Sequence, residues 1–570
     1  MRGTSPALSW FHKKNSAGGR PLRETPLTLA TVAAASGEEI MPFDFDSTGK
    51  SVFAAFARAH HKFGGKRVCV IDVDDSERTY DDIVRGTLAL GSALRTGTKS
   101  GDCVGVMLPT GAGAIVAFLA LSAYGRIPAM LNFTSGSAAI KSAIKTAQVK
   151  RVVTAKRFVE MGGFQSLIAD IAKTCEIVYL EDVREHLSLR DKISAAVGQF
   201  VPALVASHPN PDSMATVLFT SGTEGEPKGV ALSHRNLVAN VEQVRVHLEL
   251  YPTDILFNPL PAFHCFGLTV GSLMPLLLGI KVVCHPTPLQ PHEIVRRIKT
   301  HGATIVVSTD TFVTQYARVA EPGDLKSLRL TVCGAERLRD ETRAFLRKKH
   351  GIELLEGYGV TETAPVIAAN RPTANKAGTV GQLMADMKYR LDPVEGIPNA
   401  GRLVVSGPNV MMGYIKADAP GVIDPPPDGW HDTGDVVTVD EDGFIAIKGR
   451  LKRFAKIGGE TVSLAVVESI ASALWPEDNH ASVSIPDGRK GEQIVLVTTT
   501  RDAARQDLIG WAHNHGVSEL AVPRRIVNVD EVPVLGTGKT NYGAVQKIVE
   551  AALQPSGTVS ANLSSATPLV

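Results

Sequence analysis

The strongest constraint on the fold of this chain is a rhythm. Short apolar runs, VCVIDV, CVGVML, RVVTA, EIVYL, KVVCH, TIVVS and LRLTVCG, recur between residues 68 and 334, each followed by an amphipathic or Ala-rich stretch. Strand-like pieces alternating with helix-length segments are the mark of stacked βαβ units, so the chain is expected to be α/β with largely parallel sheets. From about Lys376 the text changes to short β-like pieces with turn dipeptides, GRLVVSG, GVIDPPPDGW and GDVVTVDEDGFIAIKGR, which predict a small β subdomain. A basic break, GRLKRFAK, then precedes a further unit of roughly one hundred residues, enough for a small domain. At 570 residues the chain is too long for one ordinary domain.

Composition enters as a filter on function. Apolar content of 44%, charged content of 21% and a net charge of +2 argue against disorder and against coating a polyanion, so nucleic acid is not an expected partner. Six cysteines, Cys69, Cys103, Cys175, Cys265, Cys284 and Cys333, contain no C-x-x-C pair and suit neither a disulfide framework nor a zinc site. A reducing cytoplasm is the expected home, with peripheral association with the inner membrane left open. Two apolar runs, GAIVAFLALSAYG and GLTVGSLMPLLLGIKVVC, read as buried helices of the core: the first is short for a membrane span, and the second is broken by Pro275 and Lys281. Residues 1–45 are expected to be a disordered leader or a mis-assigned start, because MPFDFDSTGK from Met41 reads as a more natural beginning. Residues 555–570, rich in Ser, Thr, Ala and Pro, are expected to be a disordered tail.

The most informative motif is VLFTSGTEGEPKGVALSHRNLVAN, residues 217–240, where a strand runs into a loop dense in hydroxyls and glycines. Bare backbone amides and hydroxyls are what a polyphosphate needs, since glycine lets the main chain approach closely. By itself the stretch reads equally well as an ordinary Gly/Ser/Thr connection. Near the end of the chain, VPVLGTGKTN imitates a P-loop, but the glycine required five positions before Gly538 is Pro533, and no parallel sheet follows to seat a nucleotide. HLSLRD, His186 to Asp191, carries the letters of an acyltransferase H-x-S-x-x-D box but falls inside the α/β rhythm, where such a domain has no room.

Taken in order, the phosphate loop, GAE (Gly334 to Glu336), EGYGVTETAP (Glu356 to Pro365), GWHDTGD (Gly429 to Asp435), GRLKRFAKIGGE (Gly449 to Glu460) and GTGK closely resemble the adenylate-forming superfamily of acyl-CoA synthetases, luciferases and peptide-synthetase adenylation domains. The resemblance runs from about Lys50 to Leu553. The wording GAERL, RFAKIGGETVSL and SELAVPR is most similar to the ligase half of 2-acylglycerophosphoethanolamine acyltransferase/acyl-ACP synthetase.

The resemblance implies an N-terminal adenylation domain over residues 46–451, made of two βα sheets and a β subdomain. A hinge at Lys452 leads to a small mobile α+β domain over 452–554. It also implies ATP and Mg²⁺ as cofactors and two steps: a carboxylate attacks the α-phosphate of ATP, and a thiol then displaces AMP. Carried over by motif, Thr220, Ser221, Gly222, Thr223 and Lys228 wrap the β- and γ-phosphates, Thr361 closes on the α-phosphate and Glu362 is the Mg²⁺ ligand. Gly334, Ala335, Glu336 and Tyr358 form the adenine slot, Asp435 and Arg450 hold the ribose, and His264 gates the acyl pocket; alone, a histidine among apolar residues reads as packed core. Lys539 bridges the carboxylate and the α-phosphate. Gly458 and Gly459 line the pantetheine passage.

The expected substrate is a fatty acid, because FHCFGLTVGSLMPLLLG is apolar and no charge stands ready for an amino-acid ammonium. The expected acceptor is acyl carrier protein, docking on Lys452, Arg453, Lys456, Arg489, Lys490, Arg524 and Arg525, with CoA as the alternative. Nearby acids nearly balance these cations, so a solvated mixed surface reads equally well. A lysophospholipid acyltransferase component is the remaining rival.

Overall fold

The computed structural model describes residues 48–207, 209–220, 227–397, 399–457, 460–487, 491–534 and 540–553. The expectations for residues 1–45 and 555–570, and those for Ser221, Gly222, Thr223, Gly458, Gly459, Arg489, Lys490 and Lys539, lie outside these residues.

The apolar runs become the strands of two large sheets. In the nine-stranded sheet, six strands lie parallel in the order Leu354–Gly359, Leu330–Cys333, Ile305–Ser308, Ile255–Asn258, Lys281–Cys284 and Val68–Ile71. Antiparallel strands close both of its edges. In the eight-stranded sheet, Met214–Thr220, Ile127–Met130, Cys103–Val106, Arg151–Thr154 and Glu176–Tyr179 are parallel, and an antiparallel hairpin turns Met214–Thr220 into Lys228–Ser233. The helix Ala112–Ala123, one of the two long apolar runs, is buried around nearly its whole circumference in a core shared by both sheets. The other run breaks into a π-helical segment Phe266–Leu273, a helix Met274–Leu278 ended by left-handed Gly279, and the strand Lys281–Cys284. Among the described residues no helix is long and apolar enough to cross a membrane.

The region after Lys376 is only partly the β subdomain that its turns suggest. Lys388–Pro393, Gly401–Ser406, His431–Val439 and Ile445–Arg450 form a four-stranded antiparallel sheet. Gly413–Lys416 and Ala419–Asp424 instead extend the eight-stranded sheet, because Gly413–Ile415 pairs with Gly229–Ala231. Strand-like text shows that a segment pairs and leaves open with which edge.

After a 3₁₀ turn, Leu451–Arg453, a separate five-stranded sheet begins at Phe454. The helices Leu464–Leu474 and Arg505–Asn514 contribute to one small core there, and Tyr542–Leu553 to another.

Candidate active site

The site assembles where loops leave the ends of these strands. In the hairpin of the eight-stranded sheet Thr220 stands directly opposite Lys228, on either side of residues 221–227 in the sequence. The neighbouring strand brings Tyr414 alongside, with the Lys228 ammonium 5.5 Å from its ring centre. The Tyr414 hydroxyl donates to Glu362 Oε1 at 2.7 Å, and burial raises the Tyr414 pKa, so the phenol stays protonated and keeps donating. Glu362 sits with Thr361 in a 3₁₀ turn, Thr361–Thr363, whose next residue, Ala364, adopts a left-handed φ of 67°. Gly359 permits this turn: a Cβ there would lie 2.0 Å from the Pro365 carbonyl.

A second cluster joins three of the expected nucleotide residues. Asp435 and Arg450 face one another across adjacent strands, and Arg450 Nε donates to Asp435 Oδ1 at 3.0 Å. The Tyr358 hydroxyl donates to Asp435 Oδ2 at 2.6 Å. Burial first, and the Asp435 charge second, push the Tyr358 pKa well above the usual phenol range. Each carboxylate oxygen has a second lone pair, so these contacts leave capacity for two further donors.

Gly334 lies against the same strand, where a Cβ would approach Gly357 O and the Phe266 ring at 3.3 Å. Ala335 is held at a φ of 68°, a left-handed conformation that non-glycine residues adopt at a cost of about 1–3 kcal/mol. Glu336 is turned away from this contact: its Oε2 accepts from the Thr311 amide at 3.1 Å and hydroxyl at 2.9 Å. Burial raises its pKa. It fixes the GAERL loop to the start of the helix Asp310–Val319.

His264 follows a turn in which its own amide donates to Pro261 O at 3.0 Å, and its half-buried ring stands 4.7 Å from that of Phe263. Two residues on, Phe266 enters a cavity lined by Val270, Met274, Ile305, Val307, Leu330 and Val332, among others, with Gly334 and Tyr358 at one end. Among the described residues no charged side chain lines it.

Two participants escaped the sequence reading. Tyr414 lacks any local signal, because its meaning comes from a strand pairing with residues about 180 positions away. Glu356 stood inside a quoted motif without a role. It is buried, accepts from Leu338 N at 3.3 Å and pairs with Arg343 at 3.1 Å, so it ties the GAERL loop to the EGYG strand. Burial pushes its pKa up to about 7.

The acyltransferase-like letters prove to be helix punctuation. Ser188 caps the helix Leu189–Gly198 and Asp191 completes the capping box, with Ser188 Oγ 2.6 Å from Asp191, while His186 turns back to Asp182 O at 2.8 Å.

Of the cations expected to form a docking face, Arg453 is engaged inside the small domain. It donates to Glu468 at 2.8 Å, and its guanidinium carbon lies 3.4 Å from the Tyr542 ring centre. Arg524 pairs with Asp487 at 2.9 Å.

A family model described as AMP-binding enzyme matches residues 56–415. The chain is 26% identical over 502 residues to a medium-chain fatty-acid–CoA ligase of Escherichia coli (strain K12), covering 85% of this chain and 87% of that one. It is 32% identical over 351 residues to a feruloyl-CoA synthase of Amycolatopsis sp, covering 59% of this chain and 70% of the relative. Its fold matches that of ATP-bound MatB from Rhodopseudomonas palustris with a TM-score of 0.76 at 24% identity, over 88% of this chain and all of that one. With its motifs in family order, the chain belongs to the AMP-binding enzyme family, within the adenylate-forming superfamily.

Proposed function

We propose that this AMP-forming acid–thiol ligase activates a fatty acid and passes the acyl group to coenzyme A. The observation that carries the reading is the cavity beside Tyr358 and Gly334, whose walls offer hydrocarbon to the acid's tail and, among the described residues, no polar side chain to a phenol or an ammonium, the Tyr358 hydroxyl being engaged by Asp435. Ile305 and Val307, then Leu330, Val332 and Gly334, line it at alternate positions, so it runs back along the strands for about 13 Å at the usual rise per residue. Its free space, about 70 Å³, is that of a slot. A longer chain enters by displacing Met274 and Met384, flexible side chains suited to repacking.

In the first step a carboxylate oxygen bonds to the α-phosphorus and the bond to pyrophosphate breaks. Two anions must meet, so the work is positioning and charge neutralisation. Thr220, Ser221, Gly222, Thr223 and Lys228 hold the β- and γ-phosphates, and Thr361 and Lys539 the reacting α-phosphate. Tyr358 stacks on adenine while Asp435 and Arg450 hold the ribose. Glu362, a hard carboxylate already oriented by Tyr414, would hold Mg²⁺, which supplies charge neutralisation on the phosphates; one carboxylate plus substrate oxygens and waters suits that ion. In the second step the small domain turns about Lys452, Lys539 withdraws, and a thiolate attacks the acyl carbonyl as AMP leaves. His264 gates the passage between acid and nucleotide.

Coenzyme A is preferred over acyl carrier protein because Arg453 and Arg524 already have acidic partners within the small domain, which thins the expected docking face. The fatty-acid–CoA ligase among the relatives supports the same choice. The test is acid-dependent AMP formation with a straight-chain acid or ferulate, each with CoA and with holo acyl carrier protein. Turnover with the aliphatic acid and CoA is expected. Turnover with the carrier protein alone would replace the acceptor, and faster turnover of ferulate would replace the acid.

A further inference from the structure

The helix Leu189–Gly198 carries two unlike faces. Its inner face packs on the helix Tyr80–Leu94 so closely that a Cβ on Gly198 would lie 2.3 Å from a Leu88 methyl. Asp191 is buried in the capping box and Ala195 is buried beside it, while Arg85 anchors the helix end through Gln199 at 3.1 Å. The outer face is apolar and open: Leu189 is 74% exposed, Ile193 54% and Val197 56%, and Phe200 just beyond the helix is 78% exposed. A spacing of four places the first three on one stripe, which Phe200 continues. At about 100° per residue, Arg190 and Lys192, both exposed, stand to either side of that stripe.

Phe200 and Val201 also border a groove of about 1010 Å³ whose wall includes Lys50, Arg58, His61 and Lys66. The carboxylate among its lining residues, Asp81, is held between His60 at 2.8 Å and Lys66 at 3.2 Å. An apolar stripe flanked by cations, beside a cationic groove, complements a surface that is hydrocarbon beneath a layer of phosphate. Aligned aliphatic side chains and an exposed phenylalanine have no use in solvent, and among the described residues nothing covers them.

We propose that this face docks the enzyme on an anionic lipid bilayer, with the helix lying in the interface plane. Leu189, Ile193, Val197 and Phe200 enter the acyl region, and Arg190, Lys192, Lys50 and Lys66 meet lipid phosphates. The binding rests on the exposed helix; its use, to meet an amphiphilic acid where that acid partitions, rests on the fatty-acid reading. The helix Val52–Phe63, part of the same groove, packs through Phe63 against Gly279, at the end of the segment that carries Met274 into the acyl cavity. The docked face therefore lies one helix layer from the cavity wall.

The test is flotation of the full-length chain with vesicles of phosphatidylcholine alone or with one-third phosphatidylglycerol. Binding to the anionic vesicles is expected, weakened at least tenfold by Ile193→Asp with Val197→Asp, by Arg190→Glu with Lys192→Glu, and by raised salt. Both double variants alter exposed positions, so unchanged melting and unchanged AMP formation with acid in free solution are expected. Flotation that the Asp variant does not weaken, or that neutral vesicles support equally, overturns the proposal. So does a wild-type chain that stays unbound and is dimeric while the Asp variant is monomeric, since the stripe would then be covered by a second copy. Loss of acid turnover in free solution with flotation intact would remove the fatty-acid reading and leave the docking face standing.

Discussion

At the nucleotide end of the site the polar side chains already converge on partners, Tyr358 and Arg450 on Asp435 and Tyr414 on Glu362. At the proposed acyl end, from Phe266 back to Ile305 and Leu330, the walls present hydrocarbon. The difference is one of directionality. A hydrogen bond to a charged group must be aimed before the ligand arrives, and a misaimed buried one costs the full desolvation of the group. Apolar contact is non-directional and scales with area, so the acyl end can change its fit in small steps. Substitutions at the polar end should therefore damage the reaction for every acid, and those at the apolar end should sort acids by length.

The largest expected effect sharpens the polar side of that contrast. Lys539→Ala removes the cation proposed to lie between two anions, and loss of one such preorganised donor typically lowers kcat by about 10² to 10³. Adenylate formation should fall by at least that factor for every acid, while thioester formation from pre-made acyl-AMP stays within a few-fold. Equal loss of both steps in single-turnover assays would refute the assignment.

The apolar side has its own titration. The helix His234–His247, whose Val244 lines the cavity, begins on a buried histidine and ends on a half-buried one. His234 accepts from the Val52 amide at 3.2 Å, and His247 Nε2 donates to Ala369 O at 2.7 Å. Burial pushes both down to about 4, with Arg371 adding to the effect on His247. A cation at a helix C-terminus gains only about 0.3–1 kcal/mol, so burial prevails at His247. The sign follows from linkage. With folded pKa values below the unfolded 6.5, the unfolded chain binds more protons between pH 6.5 and 4, so the stabilisation is complete above 6.5 and lost as pH falls through that window. Each histidine contributes about 3 kcal/mol over the full window. His247→Gln keeps a donor for Ala369 and should flatten the fall in urea midpoint between pH 6.5 and 5. An unchanged slope would show that the acid lability arises elsewhere.

A smaller effect returns to the polar end. Asp435→Asn leaves one oxygen where two donors converge, and a hydrogen bond to a charged group is worth about 1.5–3 kcal/mol. The KM for ATP should rise about tenfold or more, with equal effect for short and long acids. A length-dependent change would mean that the two ends are coupled.

Legibility in the sequence divides along the same line. The polar end offered candidates because its chemistry restricts residue types: Glu362, Asp435 and Tyr358 lie inside short motifs whose letters have few substitutes, and the fold joins Tyr358 and Asp435 by a hydrogen bond. The acyl end offered only FHCFGLTVGSLMPLLLG, which supplies Phe266, Val270 and Met274; any hydrocarbon of suitable size serves there, and the other walls come from segments scattered between Val244 and Met384. Glu336 shows a limit even within the motifs: its letter suggests a carboxylate at the adenine slot, and tertiary packing turns that carboxylate to Thr311. The alternating runs revealed the parallel sheets, but the hairpin of Gly413–Lys416 with Ala419–Asp424 was assigned to the wrong sheet because pairing partners are not encoded in either strand. Tyr414 was missed for that same reason.

The smallest effect is the one that most directly tests how the acyl end works. Leu330 stands at the start of its strand, 2% exposed and lining the cavity, four residues before Gly334, the end proposed to face the reacting carboxylate. Leu330→Phe lengthens that wall by little more than a methylene. If acids are ranked by how far their tails extend along the strands, the preferred straight-chain acid should shorten by about one carbon. Each methylene denied its burial should lower kcat/KM by about fourfold, the equivalent of about 0.8 kcal/mol. Shorter acids and the KM for ATP should be untouched, which separates this outcome from a general loosening of the core. A uniform fall across all lengths would mean that Leu330 only packs the strand, and that acyl tails leave the cavity by another route. A graded fall would make the depth of this slot, and no polar contact, the ruler by which the enzyme chooses its acid.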